Sequence, residues 1–273
     1  MKNSLKSYLS LLIFILPFLT FVHSVFADDI LIDAKEVDIK DKGNLIVASG
    51  TVKITDGLQL EINGDNAVYD KSKQILEITG DVSFIDKENN YEVESDRILF
   101  NRLNNTVYSL DNTLINVLNN NGIPILKVKS KNSFFKQSSK TLEINKEVIL
   151  KDVINDYEIF SEKIFYNQDK GIIKSFDDTK INYKDDYLII SNEIIYDNNK
   201  KTLSSKNATQ IIDNNDNKII LSNFNLDLSK KILKGEQMAL VDNEENNFEL
   251  SKGFINLETN EVIGSDFVLK LNK

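Results

Sequence analysis

The chain has 273 residues, of which 33 are basic and 42 are acidic, and its formal net charge is −9; it has no Cys, no Trp and a single His. Without Cys there are no disulfides, and zinc, haem and iron–sulfur sites lose their usual ligands. Ser–His and Cys–His nucleophile pairs are also absent from the chain beyond His23. The acidic balance disfavours nucleic acid as a partner, because phosphate-binding proteins concentrate positive charge.

These absences predict a protein that is not an enzyme and needs no metal or cofactor. One catalytic alternative stays open, since the 42 acidic residues provide many Asp/Glu pairs of the kind that glycosidases use. Calcium would need an acidic loop such as D-x-[DN]-x-[DN]-G, and the sequence has none.

The N-terminus has the organisation of a secretory signal peptide. Lys2 and Lys6 precede an apolar run, Leu9–Val22, and Val25-Phe26-Ala27 places small residues before Asp28. The run of 14 residues is shorter than the roughly 20 that a spanning helix needs. We predict a signal peptide over 1–27, cleaved after Ala27, with an uncleaved anchor as the alternative. The exported domain is then 28–273, with 246 residues (273 − 27) and a net charge of −11 (−9 − 2).

The remaining chain repeats a pattern of about thirty residues, which must be recognised before any fold is assigned. Each repeat is anchored on a small or polar residue, and the spacings between anchors are 31, 31, 35, 31, 30, 31 and 29. The longest spacing contains a loop-like insertion, NNNGIP at Asn119–Pro124. The eight anchors are Asp33, Gly64, Ser95, Ser130, Ser161, Ser191, Ser222 and Ser251.

Apolar residues alternate with polar ones within each repeat, which predicts strands with one buried face. Before an anchor they stand at −4 and −2, as at Tyr91 and Val93, and after it at +3 and +5, as at Ile98 and Phe100. This change of parity predicts a bend or bulge at the anchor, because an unbroken strand would send one set outwards. Polar turns such as NRLNN at Asn101–Asn105 separate the strands. The last two repeats drift from this parity, as capping units do.

The segments Leu31–Asp70 and Ile75–Asp86 resemble the OstA-like domain of the LptA/OstA-like periplasmic lipopolysaccharide-transport family. That domain is also found in LptC and at the N-terminus of LptD. The resemblance is good over 29–117 and continues more weakly to about Ile211. It implies an all-β fold, a twisted β-jellyroll open along one side, built from about eight bent strand units.

The resemblance also implies a function: non-enzymatic transfer of lipopolysaccharide through the periplasm, with the acyl chains in an apolar trough. The implied partners are lipopolysaccharide, LptC-like and LptD-like jellyroll domains, and a further copy of the chain in a head-to-tail homo-oligomer. Pairing would use the edge strands around Ile30–Ile39 and Asp266–Leu271. The candidate lipid-binding residues are Leu60, Ile62, Tyr69, Leu76, Ile78, Val82, Phe84, Tyr91, Val93, Ile98, Phe100 and Val107.

Other interpretations stay open at this point. Each candidate residue can belong to the core without contacting lipid, and Arg97 and Arg102 can be plain surface residues instead of phosphate ligands. The whole chain can be a detached N-terminal domain of an LptD-like outer-membrane assembly protein. It can also be a secreted β-solenoid that acts as a polysaccharide lyase or adhesin. The solenoid hypothesis is disfavoured because such coils are shorter and more uniform, and because a lyase needs a basic cluster.

Overall fold

The computed structural model describes residues 30–56, 59–184 and 186–270. The predicted signal peptide lies outside these ranges. No helix in the described part is long and apolar enough to cross a membrane. The strands are β1 Leu31–Asp33, β2 Glu36–Lys40, β3 Leu45–Thr55, β4 Leu60–Asp70, β5 Ile75–Asp86, β6 Tyr91–Asn101, β7 Thr106–Leu118, β8 Pro124–Lys136, β9 Thr141–Asp152, β10 Tyr157–Asn167, β11 Ile172–Phe176, β12 Thr179–Tyr183, β13 Tyr187–Ser191, β14 Ile195–Asp197, β15 Thr202–Ser205, β16 Thr209–Asp213, β17 Lys218–Asp227, β18 Ile232–Val241, β19 Asn247–Asn256, β20 Glu261–Ser265 and β21 Val268–Lys270.

The strands form one antiparallel meander in which each long strand, or the two short strands that replace it, lies between its neighbours in the chain. From β3 to β10 the strands are continuous and pair in sequence order. Beyond β10 three successive long strands are each split in two at the bend. The pairs of short strands that replace them are β11 and β12, β13 and β14, and β15 and β16. The outer strands are β1 and β2 at one end and β20 and β21 at the other, and each pairs only with β3 or β19 in the described chain. The all-β prediction is confirmed.

Most long strands bend near the middle, where the pairing register shifts. Between β5 and β6 the register jumps from Thr79↔Arg97 to Val82↔Ser95, so two residues of β5 oppose one of β6. The same β-bulge recurs on β3, β7 and β9. The extra residues adopt left-handed backbone conformations, as at Gly80 (φ 82°) and Asp81 (φ 43°). The predicted bend at the anchors is thereby confirmed, and the bulge on the facing strand adds to it.

Serine and threonine hydroxyls form the inner side of the bend because a bulge leaves carbonyl groups without ladder partners. The Ser95 hydroxyl lies 2.8 Å from the Leu110 carbonyl oxygen and 2.9 Å from that of Asp111, on the bulge of β7. The Ser161 hydroxyl lies 2.9 Å from the carbonyl oxygen of Phe176 in the equivalent position. The anchor residues therefore satisfy the backbone at the bend, which is the structural role predicted for them.

The two series of turns at the strand ends face each other across the mouth of the bent sheet. We call the turns β2–β3, β4–β5, β6–β7, β8–β9, β10–β11, β14–β15, β17–β18 and β19–β20 the first rim. The turns β3–β4, β5–β6, β7–β8, β9–β10, β12–β13, β16–β17 and β18–β19 form the second rim. Asx turns close both rims: the Asp197 carboxylate accepts from the Lys200 N–H at 3.0 Å in the first, and Asp152 accepts from Asn155 at 2.7 Å in the second.

The apolar faces of both arms meet in one continuous core that runs the length of the meander. The alternating residues of the repeats lie in this core, including Ile164 and Ile181 in the middle of the chain. The strand stack therefore has the architecture that the repeat pattern indicates: bent units that bury their apolar faces only against each other and their neighbours.

Gly64 tests the bend directly, since a Cβ there would lie 2.6 Å from Ile78 Cγ2. We expect Gly64→Ser, which copies the other anchors, to lower the free energy of unfolding by about 1–3 kcal/mol through overpacking. Adding Ile78→Leu removes the clashing Cγ2 and should recover part of the loss. Urea denaturation of the two variants and the single Ile78→Leu control measures this, and an additive double variant would contradict the explanation.

Candidate functional site

All twelve candidate lipid-binding residues lie in the interior of the N-terminal half. Each is buried, and the most exposed, Leu60, has only 9% of its surface accessible. Phe84 packs edge-on against Phe100, with ring centroids 6.0 Å apart. The side chains thus converge as the pattern predicts. In this conformation, however, they fill the interior themselves. Leu60 and Phe100 also line a cavity that opens to solvent.

The mouth of the bent sheet is closed in the middle because the two rims touch there. Gln137 on the first rim donates its amide to the Asp86 carboxylate on the second, and Gln168 donates to the Asn89 carbonyl oxygen at 3.2 Å. Below these bonds the ring of Tyr91 stacks on Phe135, with centroids 4.2 Å apart. The polar contacts between the two rims therefore cover a layer of aromatic side chains.

Further along, aromatic residues also join the two arms. Tyr157, from the second rim, packs edge-on against Tyr196, from the first, with ring centroids 5.0 Å apart. The Tyr187 hydroxyl donates to the Leu257 carbonyl oxygen at 3.3 Å. The interior is thus crossed by side chains at several levels between β5 and β19.

A group of buried tyrosines and two buried aspartates, Asp86 and Asp152, makes the middle of the interior polar. Burial raises the pKa of Tyr91 well above its usual range, and the nearby Tyr166 and Asp86 add to the effect. Burial, with the negative charge of Asp152, also raises the pKa of Tyr166 and of Tyr196 to about 12. These phenols therefore stay neutral inside an otherwise apolar interior.

A polar cavity of about 590 Å³ opens between the rims at the N-terminal end. Its walls carry Arg102 and Gln137 from the first rim and Asp86 and Asn89 from the second. The Arg102 guanidinium lies 3.2 Å from the Tyr69 hydroxyl, to which it donates. Arg102 is therefore directed into the mouth of the sheet, whereas Arg97 pairs with Glu77 on the surface, with its Nε 2.8 Å from the carboxylate oxygen.

A second cavity, of about 560 Å³, opens at the C-terminal end and is mainly apolar. Its volume lies within the roughly 300–1,000 Å³ of small-molecule sites. Asp213, Asn217, Asp242 and Asn260 stand at its rim, where Asx turns hold both aspartates. Its apolar lining comprises Tyr187, Ile211, Ile219, Leu240, Val241, Phe248, Ile255, Leu257, Val262 and Phe267.

The C-terminal cavity was not among the sequence-based candidates, all of which precede residue 108. Its signal in the sequence is the parity drift of the last repeats, where Leu257 follows Ser251 at an even offset. Gln137 and Gln168 were also missed, because turn glutamines carry no pattern that indicates a contact across the mouth. No group of His, Cys, Asp or Glu that could hold a metal ion occurs among the residues that the structure describes.

Fold and site together define an all-β protein with a bent, antiparallel meander around an apolar interior that opens at both ends. No family model matches the sequence, and no curated protein matches it either. Among solved structures, the chain is similar to LptH, the LptA homologous periplasmic component of the conserved lipopolysaccharide transport device from Pseudomonas aeruginosa. Sequence identity is 15% and the TM-score is 0.38; the match covers 43% of this chain and 82% of that one.

Tyr91 allows a test of the polar interior, since its buried hydroxyl has no hydrogen-bond partner. We expect Tyr91→Phe to leave the free energy of unfolding at neutral pH unchanged or to raise it by about 1 kcal/mol. A raised folded-state pKa gives stability that is complete below the ordinary pKa of 10.0 and falls as pH rises above it. The variant should therefore lose less stability in alkali, by up to about 1.4 kcal/mol per pH unit.

Tyr187→Phe is the matched control, because it removes a hydroxyl that donates to Leu257. It should cost about 0.5–1.5 kcal/mol at neutral pH. Urea denaturation at neutral and alkaline pH measures both variants. A loss of stability in Tyr91→Phe as large as in the control would contradict the proposed state of the Tyr91 hydroxyl.

Proposed function

We propose that the protein is a non-enzymatic lipid carrier of the periplasm that holds the acyl chains of lipopolysaccharide on their way to the outer membrane. The observation that carries this proposal is the open C-terminal cavity, whose lining is mainly apolar and continuous with the core. The sequence resemblance of 29–117 to the OstA-like domain supports the choice of lipid and compartment.

The physical need for such a cavity follows from the chemistry of the cargo. Exposing an acyl chain of about twelve methylenes to water costs on the order of 10 kcal/mol, at about 0.8 kcal/mol per methylene. Phe248 and Leu240 belong to an apolar surface, and burying the chain against that surface removes the cost without any chemical reaction. The polar rim at Asp213 and Asp242 leaves the headgroup in solvent.

The C-terminal cavity is the first binding site in this proposal, and the twelve N-terminal candidates come second. The cavity is open to solvent in the described conformation, whereas Ile62 and Phe84 are fully buried. Lipid can therefore enter at β16–β19 without rearrangement. To reach Phe84 it must separate the rims.

The two ends of the meander are suited to pairing with other jellyroll domains. The last strand, β21, presents exposed Val268 and Leu269 directly after exposed Phe267, and β2 at the other end presents exposed Val37 and Ile39. Because β21 and β2 each pair on one side only in the described chain, their outer backbone groups are a template for another strand. We propose that LptC-like and LptD-like domains, or further copies of this chain, extend the sheet head to tail at these edges.

Filling the C-terminal cavity tests lipid binding. We expect Leu240→Trp, which places a large ring in the cavity, to reduce binding of purified lipopolysaccharide at least about tenfold, because the ring occupies the volume that a chain needs. A photocrosslinking residue at Phe248 should label the lipid in the parent protein and lose that labelling in the Leu240→Trp background. Binding is measured by co-purification and by crosslinking yield.

The matched control places the same crosslinker at Leu103, an exposed apolar residue of a first-rim turn far from the cavity. It should give little labelling in either background. Equal labelling at Phe248 and Leu103 would show that lipid coats the surface without a specific site, and the carrier proposal would then fail.

Head-to-tail pairing is tested with two proline variants, since proline removes a backbone donor from an edge strand. Val268→Pro blocks the C-terminal edge and Val37→Pro the N-terminal edge. The parent protein should form oligomers that grow with concentration, as a heterologous contact does. Each variant alone should be monomeric, and a mixture should stop at dimers that join the two intact edges. Light scattering measures this, and a parent that is monomeric with and without a jellyroll partner domain would refute the pairing.

A further inference from the structure

One described turn of the second rim has both its aspartate and its asparagine buried. In the β5–β6 turn, Asp86 and Asn89 retain only 3% and 6% of their surface. Asp86 accepts from the Asn89 N–H at 3.0 Å and from its side-chain amide at 2.7 Å. In the β9–β10 turn, Asp152 and Asn155 make the same two bonds; Asp152 is equally buried, at 4%, but Asn155 is only half-buried. The turn's own bonds therefore do not explain the burial of Asn89, which the opposite rim covers.

Two glutamines of the first rim cover this turn from equivalent positions. The Gln137 N–H donates to the Asn105 carbonyl oxygen at 3.0 Å, and the Gln168 N–H donates to that of Lys140, also at 3.0 Å. The shared backbone geometry directs both side chains across the mouth. Gln137 reaches the Asp86 carboxylate and Gln168 the Asn89 carbonyl oxygen. Two successive turns of the first rim are thus hydrogen-bonded to the same turn of the second rim.

The closure leaves polar atoms unsatisfied, which lowers the cost of releasing it. The Gln168 side-chain oxygen is buried without a hydrogen-bond partner, and so is the Tyr91 hydroxyl beneath it. A buried polar atom without a partner costs free energy that water or a polar ligand would return. The bonds that do form exchange for bonds to water when the rims separate, so the cost of breaking them is smaller than their strength inside the protein.

We infer that Asp86, Asn89, Gln137 and Gln168 form a latch that closes the trough, and that its release admits lipid to the interior at Tyr91 and Val93. This inference rests on the proposed lipid-carrier function and concerns a second, gated compartment. The N-terminal cavity, whose wall includes three of the latch residues, receives the headgroup as the latch opens. A headgroup with hydroxyl and acceptor oxygens competes for the glutamine amides and for Asp86.

The latch keeps the interior dry when no lipid is bound. Apolar side chains meeting across the mouth would do this too, but lipid chains would then compete only with a contact as favourable as their own burial. An amide–carboxylate contact is instead displaced by the polar part of the ligand. The latch therefore opens for an amphiphile and stays closed to a hydrocarbon that has no polar group.

Covalent closure provides the test, since the chain has no cysteine and introduced thiols are unique. Side chains joined end to end, as Asp86 and Gln137 are, stand too far apart at Cβ for a direct disulfide. We therefore use Asp86→Cys with Gln137→Cys, bridged by a short bis-maleimide whose spacer contains a cleavable disulfide. Photocrosslinking residues at Val93 and, in a separate protein, at Phe248 report lipid in the gated and open compartments. The probe is purified lipopolysaccharide.

Bridging should reduce labelling at Val93 about tenfold relative to the cleaved form, as expected when an open state is confined to a minor population. Labelling at Phe248 should not change. The double variant Gln137→Ala with Gln168→Ala should raise labelling at Val93 and speed hydrogen exchange of the β6 amides. Asn104→Ala removes an exposed first-rim amide that does not line the N-terminal cavity; it is the control and should leave both unchanged.

The outcomes separate the two proposals. If Phe248 is labelled but Val93 is labelled equally in the bridged and cleaved proteins, or is not labelled even in the glutamine double variant, the latch is refuted and the carrier function stands. If neither position is labelled in any variant, the carrier function itself is refuted. Hydrogen exchange of β3 and β10 in every variant shows whether the fold is retained.

Discussion

The bend in each strand is the constraint on which the whole structure depends. A straight meander of this length would be a flat sheet with one apolar face in water, and folding each strand on itself closes that face against its other half. The bend breaks the ladder, so its carbonyl groups need other partners, and Ser95 and Ser161 provide hydroxyl donors. It also needs left-handed residues on alternate strands, which Gly80 and Asp81 supply. Because the bends stack in register, one misplaced bend would misalign every later strand.

The sequence was sufficient to predict this framework because its determinants are local. Alternation identified the strands, and the parity change at Ser95 identified the bend. The bulges on the facing strands were harder to find, since Gly80 with Asp81 carries a turn signature but Lys146 with Glu147 adopts the same left-handed conformations without one. There the surrounding ladder imposes the conformation against local preference.

The candidate site was predictable only in part, for a related reason. Burial of all twelve candidates follows from strand pattern, but whether the interior is open or closed depends on contacts between the rims. Those contacts join residues far apart in sequence, as Gln168 with Asn89 and Tyr187 with Leu257 do. Their geometry depends on the accumulated twist of several intervening strands, which no periodicity records. The cavity at Phe248 arises likewise, where the last strands depart from the repeat and leave space between the arms.

The side chains of the first rim change from polar to apolar along the chain, so the two ends of the mouth differ in polarity. In successive turns of the first rim, one residue donates its backbone N–H to the preceding turn. These residues are Lys71, Arg102, Gln137, Gln168, Asn198, Leu228 and Leu257. Their side chains are cationic at the start of the series, amides in the middle and apolar at the end. The cationic end borders the polar cavity and the apolar end borders the apolar cavity. Under the proposed carrier function, an amphiphile lying along the mouth would be stabilised best with its polar group toward the N-terminal strands and its chains toward the C-terminal strands. A uniform trough would bind it equally in both orientations, so the gradient supplies what burial alone lacks, a preferred orientation for the bound molecule.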